Sequence, residues 1–438
     1  MSNNTFIQGF SKLNRKQRGE ALWVDEKIRK TWEKFDHADI LLQKRLSSFS
    51  ENYVANYSLP MGIAPNFLID GEIYHIPMVM EESSVVAAAS KAAKFWFQMG
   101  GFKTKSISNN KEGQILFYWK GDFQALKSKE KLLEIFLRKN VKTITKRMIE
   151  RGGGITQIQL VDFSHQISNG KQLKVHFNTC ESMGANFINT VLEEMGKILP
   201  EFFSNPVNNL DRWETPKILM AILSNYTPKN SILMAAECRY DDLVFKDSAT
   251  RGKAYAEKFA AAIEWANKDM YRAVTHNKGI MNGIDAVVLA TGNDFRTVEA
   301  AAHAYASRGG KYTSLSKLVL NSQTFELQLE LPLALGVVGG LTHLHPLAKA
   351  NLELLGNPDT QKLMKISASA GLANHFSAIH ALISTGIQSG HMKMHLNNLL
   401  IKLKASPDEA EKAKDFFQDK AVYFHHLKTF IDELRQNH

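Results

Sequence analysis

Residues 156–178 read TQIQLVDFSHQISNGKQLKVHFN and contain two predicted strands, over 156–163 and 173–178. The sequence also predicts a strand over 114–120 and a helix over 127–138 before this pair, and a helix over 186–199 after it. Strands and helices that alternate at such short spacing indicate a small α+β module. We predict that it covers residues 107–221 and is inserted into a larger domain.

The flanking residues predict that larger, helix-rich domain in two parts, 1–106 and 222–386. In the first part, a strand-and-turn segment with several prolines precedes an alanine-rich helix over 85–99, which Gly100 and Gly101 end. The last part of the chain, 387–438, is predicted to form two charged helices, 390–403 and 407–436, as a mobile C-terminal flap. The predicted fold class is therefore α+β.

The composition and charge of the chain exclude some classes of protein. The 438 residues include 54 Lys and Arg against 44 Asp and Glu, a formal net charge of +10. An excess of positive charge is compatible with binding to nucleic acid, to an anionic surface or to a phosphorylated small molecule. Nucleic acid is disfavoured because the basic residues are dispersed rather than interleaved with aromatic ones. No apolar run approaches the roughly 18 residues of a membrane span, and the polar N-terminus lacks a secretory signal, so we expect a cytoplasmic protein without membrane association.

General cofactor signatures are missing from the sequence. It contains no GxGxxG, GxxxxGK[ST] or HExxH pattern, and the glycines at 152–154 are predicted to form a turn. The two cysteines, Cys180 and Cys238, are too few and too far apart for a disulfide framework or a structural zinc site. A Rossmann domain is therefore not predicted.

Glu82 lies in Glu81-Glu82-Ser83-Ser84, directly before a predicted helix, and two interpretations are open. Acids and serines at this position can cap a helix and favour its dipole. Alternatively, Glu82 is enclosed by its neighbours and donates a proton in a reaction.

Lys278 and Asp294 also have two interpretations each. Lys278 lies in residues 276–283, which are predicted to form a polar loop, and is either solvated or the cation that stabilises an oxyanion. Asp294 follows an apolar segment and is either the N-cap of the next helix or a functional acid.

Two histidine pairs have a spacing that metal ligands can adopt, His343 with His345 and His391 with His395. Neither pair has a third ligand at a convincing spacing. We therefore predict no metal site, and one functional histidine in the second pair.

Taken together, these stretches resemble the hydroxymethylglutaryl-CoA reductase family, in the class II form of soluble bacterial, degradative-type enzymes. The stretches that carry the resemblance are 51–64, 77–90, 276–279, 290–294 and 390–392. They occur in order along nearly the whole chain.

The resemblance implies an oxidoreductase that interconverts 3-hydroxy-3-methylglutaryl-CoA (HMG-CoA) and mevalonate plus CoA, through a hemithioacetal and mevaldehyde, in isoprenoid metabolism. It implies four catalytic residues and three substrate-binding residues: Glu82, Lys278, Asp294 and His391, and Ser84, Arg272 and Asn282. Lys278 would stabilise the oxyanion, His391 would protonate the departing CoA thiolate, and Glu82 would protonate the forming alkoxide. Asp294 would bridge Lys278 and Glu82.

The resemblance implies that the inserted module, 107–221, is a ferredoxin-like nicotinamide-binding domain. The nicotinamide site that it implies departs from the family pattern. Where the family usually has Asp-Ala-Met-Gly-Ala-Asn, this chain has Glu181, Ser182, Met183, Gly184, Ala185 and Asn186. NADPH and NADH both remain possible cofactors, and Lys146 and Arg147 favour NADPH because they could meet its 2′-phosphate. Four basic residues near the N-terminus are either CoA-phosphate ligands or a solvated face: Lys12, Arg15, Lys16 and Arg18.

The implied assembly is a homodimer, or a multiple of dimers, with shared active sites. The C-terminal flap would close over each site during the reaction. The alternative interpretation is another acyl-CoA enzyme such as an acyltransferase, which would need a Cys or Ser nucleophile beside a base. Neither Cys180 nor Cys238 lies in a motif that supports this role.

Overall fold

The structure is a computed structural model. It describes residues 6–384, 386, 396, 399–417 and 422–436. Internal contacts divide the chain into two units, 1–61 and 62–438. Among the helices in these described ranges, none is long and apolar enough to cross a membrane.

Residues 6–61 of the first unit contain three short helices, after a 3-10 turn at Phe10–Lys12: α1 (Arg15–Ala21), α2 (Glu26–Glu33) and α3 (Ile40–Ser47). The side chain of the residue before each helix accepts backbone N–H groups and so caps it. Arg15 donates to the Val54 carbonyl at 2.6 Å and pairs with Asp36 at 2.7 Å. Arg18 donates to the Tyr53 carbonyl at 3.0 Å. These two arginines therefore hold residues 53 and 54 in place, and their role with CoA stays a prediction.

The part of the chain that the structure describes contains ten strands: β1 (Met61–Ile69), β2 (Glu72–Val79), β3 (Phe102–Ile107), β4 (Lys111–Tyr118), β5 (Gly154–Asp162), β6 (Gly170–Asn178), β7 (Lys217–Leu223), β8 (Ser231–Arg239), β9 (Ser316–Leu320) and β10 (Thr324–Pro332). Six of them form one sheet in the order β2-β1-β3-β8-β10-β9. The other four form a second sheet in the order β5-β6-β4-β7, in which all neighbours are antiparallel.

The helices of the second unit whose bounds lie within the described residues are α4 (Ser83–Gln98), α5 (Phe123–Lys127), α6 (Glu130–Asn140), α7 (Lys142–Glu150), α8 (Ala185–Ser204), α9 (Gly252–Lys268), α10 (Met270–Ala290), α11 (Phe295–Ala306), α12 (Leu341–Leu344), α13 (Pro346–Leu354), α14 (Thr360–Ile383), α15 (Pro407–Phe416) and α16 (Phe424–Gln436). Two 3-10 turns lie at Pro206–Asn208 and Tyr240–Asp242. Helices α5 to α7 connect β4 to β5, and α8 connects β6 to β7. With the strand order above, this is the ferredoxin-like βαββαβ arrangement. The predicted α+β fold class is therefore confirmed.

Each sheet has its own hydrophobic core. Helices α4, α10 and α14 pack together beside the six-stranded sheet, where the fully buried Trp96 contacts Phe325 and Phe376. Helices α6 and α8 cover the four-stranded sheet, where Trp119 meets Phe203 edge to face. The domain boundaries at 106, 221 and 386 stay a prediction.

The C-terminal residues differ from the prediction of one helix over 407–436. The structure has two helices there, α15 and α16, whose Phe416 and Phe430 rings stack 4.5 Å apart. Arg435 also pairs with Glu409 at 2.7 Å. Two helices folded on each other bury apolar side chains that one long helix would expose. Most of the other predicted helix, over 390–403, lies outside the described residues.

A second prediction was wrong: residues 276–283 are not a loop but part of the long helix α10. Their polar and glycine residues resemble a loop, but tertiary contacts stabilise the helical form. Asn277 donates to the Thr313 carbonyl at 2.9 Å, and α14 passes close to Gly283. A methyl group on Gly283 would lie 2.3 Å from the Ala370 carbonyl oxygen.

Gly283→Ala is therefore expected to destabilise the protein, because the added methyl must push α10 away from α14. We expect a loss of about 1–3 kcal/mol in the free energy of unfolding, the usual cost of overpacking. Urea denaturation of both proteins measures it. Gly309→Ala is the matched control, since an added methyl there meets nothing within 4 Å. Equal stability of the two variants would contradict the close helix contact.

Candidate active site

Lys278 and Glu82 come together from two helices that are distant in sequence. Lys278 lies in the middle of α10, and Glu82 occupies the position just before α4. The Lys278 ammonium is 3.5 Å from one Glu82 carboxylate oxygen, and Ser84 donates a 2.5 Å hydrogen bond to the other oxygen. The Glu82 carboxylate thus engages Lys278 and Ser84, which favours the functional interpretation over helix capping.

This pair is accessible to a ligand. The Lys278 side chain is 62% exposed and that of Glu82 is 37% exposed. A cation and a carboxyl group side by side at an open surface can stabilise a negative oxygen and transfer a proton to it. The arrangement suits reduction or addition at a carbonyl carbon.

Two further predicted residues lie on α10 on either side of Lys278. The helical rise places Arg272 about 9 Å and Asn282 about 6 Å along the axis from it. Arg272 is half-buried, and burial lowers the pKa of its guanidinium. An arginine with reduced hydration binds a carboxylate more strongly than a fully solvated one.

A buried histidine network lies behind Arg272, and our sequence analysis missed it. An Arg272 nitrogen is 3.5 Å from Nδ1 of His276, whose Nε2 is 2.8 Å from Ser314 and 2.9 Å from Ser316. Ser316 is also 2.8 Å from Nε2 of His375. Burial, and then the charge of Arg272, lower the pKa of His276 to about 3. His276 is therefore neutral, and its Nδ1 can accept a hydrogen bond from the arginine.

Asp294 is the N-cap of α11, as one interpretation of the sequence predicts. Its carboxylate accepts the Arg296 and Thr297 amides and binds the Arg296 guanidinium at 3.0 Å. Burial raises the pKa of Asp294, but the hydrogen bonds of the Arg296 side chain and of these amides outweigh it and lower the pKa overall.

Within the described residues, the structure does not bring Asp294 to Lys278 and Glu82. The backbone N–H of Asn293 donates to the Val288 carbonyl. This hydrogen bond fixes the next residue, Asp294, near the C-terminal end of α10. Val288 is ten residues from Lys278, about 15 Å along the helix. Asp294 therefore lies too far from Lys278 of the same chain to contact it.

The residues predicted to bind a nicotinamide form a turn that leads into α8. Gly184 has φ +86° and immediately precedes the helix, and a methyl group there would lie 2.3 Å from the Thr179 side chain. As a glycine it brings no capping side chain, so the first N–H groups of this 20-residue helix remain available to an anion. Such a helix start fits the phosphates of a dinucleotide.

Contacts with other elements hold this turn on two sides. The Glu181 carbonyl accepts the Val337 amide at 2.8 Å, and its carboxylate accepts the Thr360 amide at 2.6 Å. Thr360 is the first residue of α14. Ser182 donates to the Thr179 carbonyl at 3.0 Å, while Met183 and Ala185 line a small cavity beside α8. Asn186 lies in the first turn of α8 and is exposed.

The remaining candidates from the sequence are the paired histidines and the cysteines. His345 caps α13 by accepting the Ala348 amide at 3.4 Å, whereas His391 and His395 lie outside the described residues. In the part of the chain that is described, no three His, Cys, Asp or Glu side chains group as a metal site. Burial raises the pKa of the Cys238 thiol to about 12, which makes it a poor nucleophile.

Comparisons with known proteins agree on one family. The family described as hydroxymethylglutaryl-coenzyme A reductase matches residues 15–396. A 3-hydroxy-3-methylglutaryl-coenzyme A reductase of Archaeoglobus fulgidus is 34% identical over 98% of this chain and 94% of its own length. A probable reductase of the same name from Borreliella burgdorferi is 33% identical over 84% of this chain and 81% of its own.

Solved structures give the same result. The class II reductase of Streptococcus pneumoniae bound to NADPH in open conformations is 34% identical, with a TM-score of 0.70 over 87% of this chain and all of that one. A second structure of the Streptococcus pneumoniae reductase covers 98% of this chain at 33% identity and a TM-score of 0.70.

Proposed function

Because the chain belongs to the hydroxymethylglutaryl-coenzyme A reductase family, we infer that it interconverts HMG-CoA and mevalonate plus CoA with a nicotinamide cofactor. The observation that carries this function is the contact of Lys278 with Glu82, across 196 residues of sequence, at an open surface. Two reduced nicotinamides, bound in succession, would supply the four electrons that turn the thioester into a primary alcohol.

Lys278 and Glu82 divide the chemistry at the carbonyl oxygen. The Lys278 ammonium stabilises the negative oxygen that forms in each reduction step, because a cation held at that oxygen offsets its developing charge. Glu82 protonates the alkoxide of the second step. Ser84 donates to one Glu82 oxygen and so leaves the other directed toward Lys278 and the substrate.

Arg272, Ser84 and Asn282 bind the substrate. Arg272 pairs with the free carboxylate of HMG-CoA, and Asn282 donates a hydrogen bond to its oxygens. The Ser84 hydroxyl, which donates to Glu82 in the structure, turns to donate to the substrate when it binds. His391 protonates the departing CoA thiolate, since a histidine near neutral pH is a suitable donor. Residues 387–438 close over the site during the reaction and open for cofactor exchange. These roles are proposed from the resemblance to the family.

The turn at 181–186 would hold the cofactor, and the N–H groups at the start of α8 would bind its phosphates. We propose a preference for NADPH. In support, α7 carries Lys146 and Arg147. The residue that follows α7, Arg151, accepts a hydrogen bond at 3.2 Å from the thiol of Cys180, which directly precedes this turn. The Streptococcus pneumoniae reductase with NADPH is a further support.

We propose that two copies of the chain complete each site. Asp294 lies away from Lys278 of its own chain, so the aspartate that bridges the pair would come from the partner subunit. The apolar side chains on the exposed face of α10 beside Lys278 support a second copy at this place: Met270, Tyr271 and Val274.

The test follows the purified full chain with HMG-CoA and either NADPH or NADH. We expect oxidation of two nicotinamides for each CoA thiol released, and faster turnover with NADPH. Absorbance measures the nicotinamide, and a thiol reagent measures CoA. Release of CoA while the nicotinamide stays reduced would contradict the reductase function and indicate acyl transfer instead.

A further inference from the structure

Lys111 is a buried lysine at the start of β4, and it has no role in the proposed reaction. It is only 2% exposed. Its ammonium contacts Thr179 Oγ1 at 2.7 Å, the Ser182 carbonyl at 3.1 Å and Asn109 Oδ1 at 3.2 Å. An ammonium has three N–H donors, so these three acceptors satisfy it completely. A charge buried in this way indicates a specific purpose, because its desolvation is costly.

The acceptors connect Lys111 to the start of α8. Thr179 and Ser182 are the two ends of the turn that precedes Gly184, and the Thr179 hydroxyl also lies 2.7 Å from the Ser182 carbonyl. The Thr179 methyl in turn lies where a side chain on Gly184 would be. A movement of the Lys111 ammonium would therefore move the turn and the helix N–H groups that follow it.

We propose that Lys111 is a positioning residue for the nicotinamide cofactor: it fixes the turn at 179–184 and places its positive charge behind the phosphate site at the start of α8. This inference rests on the proposed function. The charge acts through protein rather than solvent, so it favours the anionic dinucleotide more than a surface lysine would.

The titration of Lys111 gives a specific signature. Burial lowers the pKa of Lys111 to about 8, while the nearby Glu181 and Cys180 act in the opposite direction. A bound anion favours the charged ammonium and so raises this pKa. Binding should therefore take up a proton near pH 8, and cofactor affinity should fall as the pH rises through that value.

Lys111→Met is the main test, with NADPH binding measured by titration calorimetry on the full-length protein. We expect the Kd for NADPH to rise about tenfold, since the turn loses its hydrogen bonds and the site loses a charge. The Kd for CoA should stay unchanged, and the fall in NADPH affinity near pH 8 should disappear. Equal NADPH affinity of wild type and variant would overturn the proposal.

Lys171→Met is the matched control. The Lys171 side chain is 4% exposed and pairs with Asp162 at 3.0 Å in the same sheet. It lies opposite Phe117, whereas Lys111 lies opposite Phe177, so about 20 Å separates them. We expect its NADPH affinity and pH dependence to match the wild type, and an equal loss in both variants would indicate only general destabilisation and overturn the proposal.

A milder variant keeps the test decisive if Lys111→Met does not fold. Thr179→Val removes one acceptor and leaves the lysine, so we expect a smaller rise in the NADPH Kd, about threefold. An unchanged Kd would overturn the proposal. Absence of NADPH binding in the wild type would instead overturn the proposed cofactor site itself, and the positioning role with it.

Discussion

Replacing Lys278 with alanine is expected to lower kcat for HMG-CoA reduction by about 10²–10³-fold, the usual effect of removing one oxyanion donor. Lys278 is largely exposed, and its contact in the structure is with Glu82, so its removal should leave folding intact. Steady-state oxidation of NADPH measures kcat. The KM for HMG-CoA should change little, because the interaction is made mainly in the transition state.

Lys253→Ala is the control for this variant. Lys253 lies on α9 and pairs with Glu257 at 3.8 Å at an exposed surface, so its loss removes the same charge and a comparable ion pair. We expect wild-type turnover from it. A Lys278→Ala enzyme that kept more than about a tenth of wild-type kcat would show that another group stabilises the oxyanion.

Mixing two inactive variants is expected to restore activity. Lys278→Ala and Asp294→Ala should each inactivate the homodimer. In a mixed dimer, one site would combine the intact Lys278 of one chain with the intact Asp294 of the other, and the second site would lack both. Random reassociation should therefore recover about a quarter of wild-type activity.

The recovery depends on exchange of subunits. The two variants are mixed in dilute denaturant and refolded, and each variant refolded alone is the control. Sites built within a single chain would leave every mixed dimer inactive. That result would contradict the shared site and would require Asp294 to approach Lys278 of its own chain by a rearrangement of α10 and α11.

The sequence predicts much of the fold because its signals there are local. The helix now defined as α4 ends where Gly100 and Gly101, both with positive φ, stop it. The strands predicted within 156–178 are β5 and β6. Their bounds differ from the prediction by only a few residues, since pairing with a neighbouring strand extends each one.

The errors have a common physical cause. Residues 276–283 resemble a loop when taken alone, yet they are helical because α14 and the Thr313 carbonyl stabilise them from far away in sequence. The residues that sequence analysis missed, Lys111 and the histidines behind Arg272, depend entirely on such long-range contacts. A lysine at the start of a strand carries no local sign that its ammonium will be buried.

The two cores described above each contain their own indole chromophore. Trp96 lies in the core of the six-stranded sheet, and Trp119 lies in that of the four-stranded sheet, 5.4 Å from Trp213. Intrinsic fluorescence can therefore report separately on each core once the other tryptophans are replaced with phenylalanine. A difference between the two melting curves would show that the four-stranded sheet unfolds independently of the six-stranded sheet.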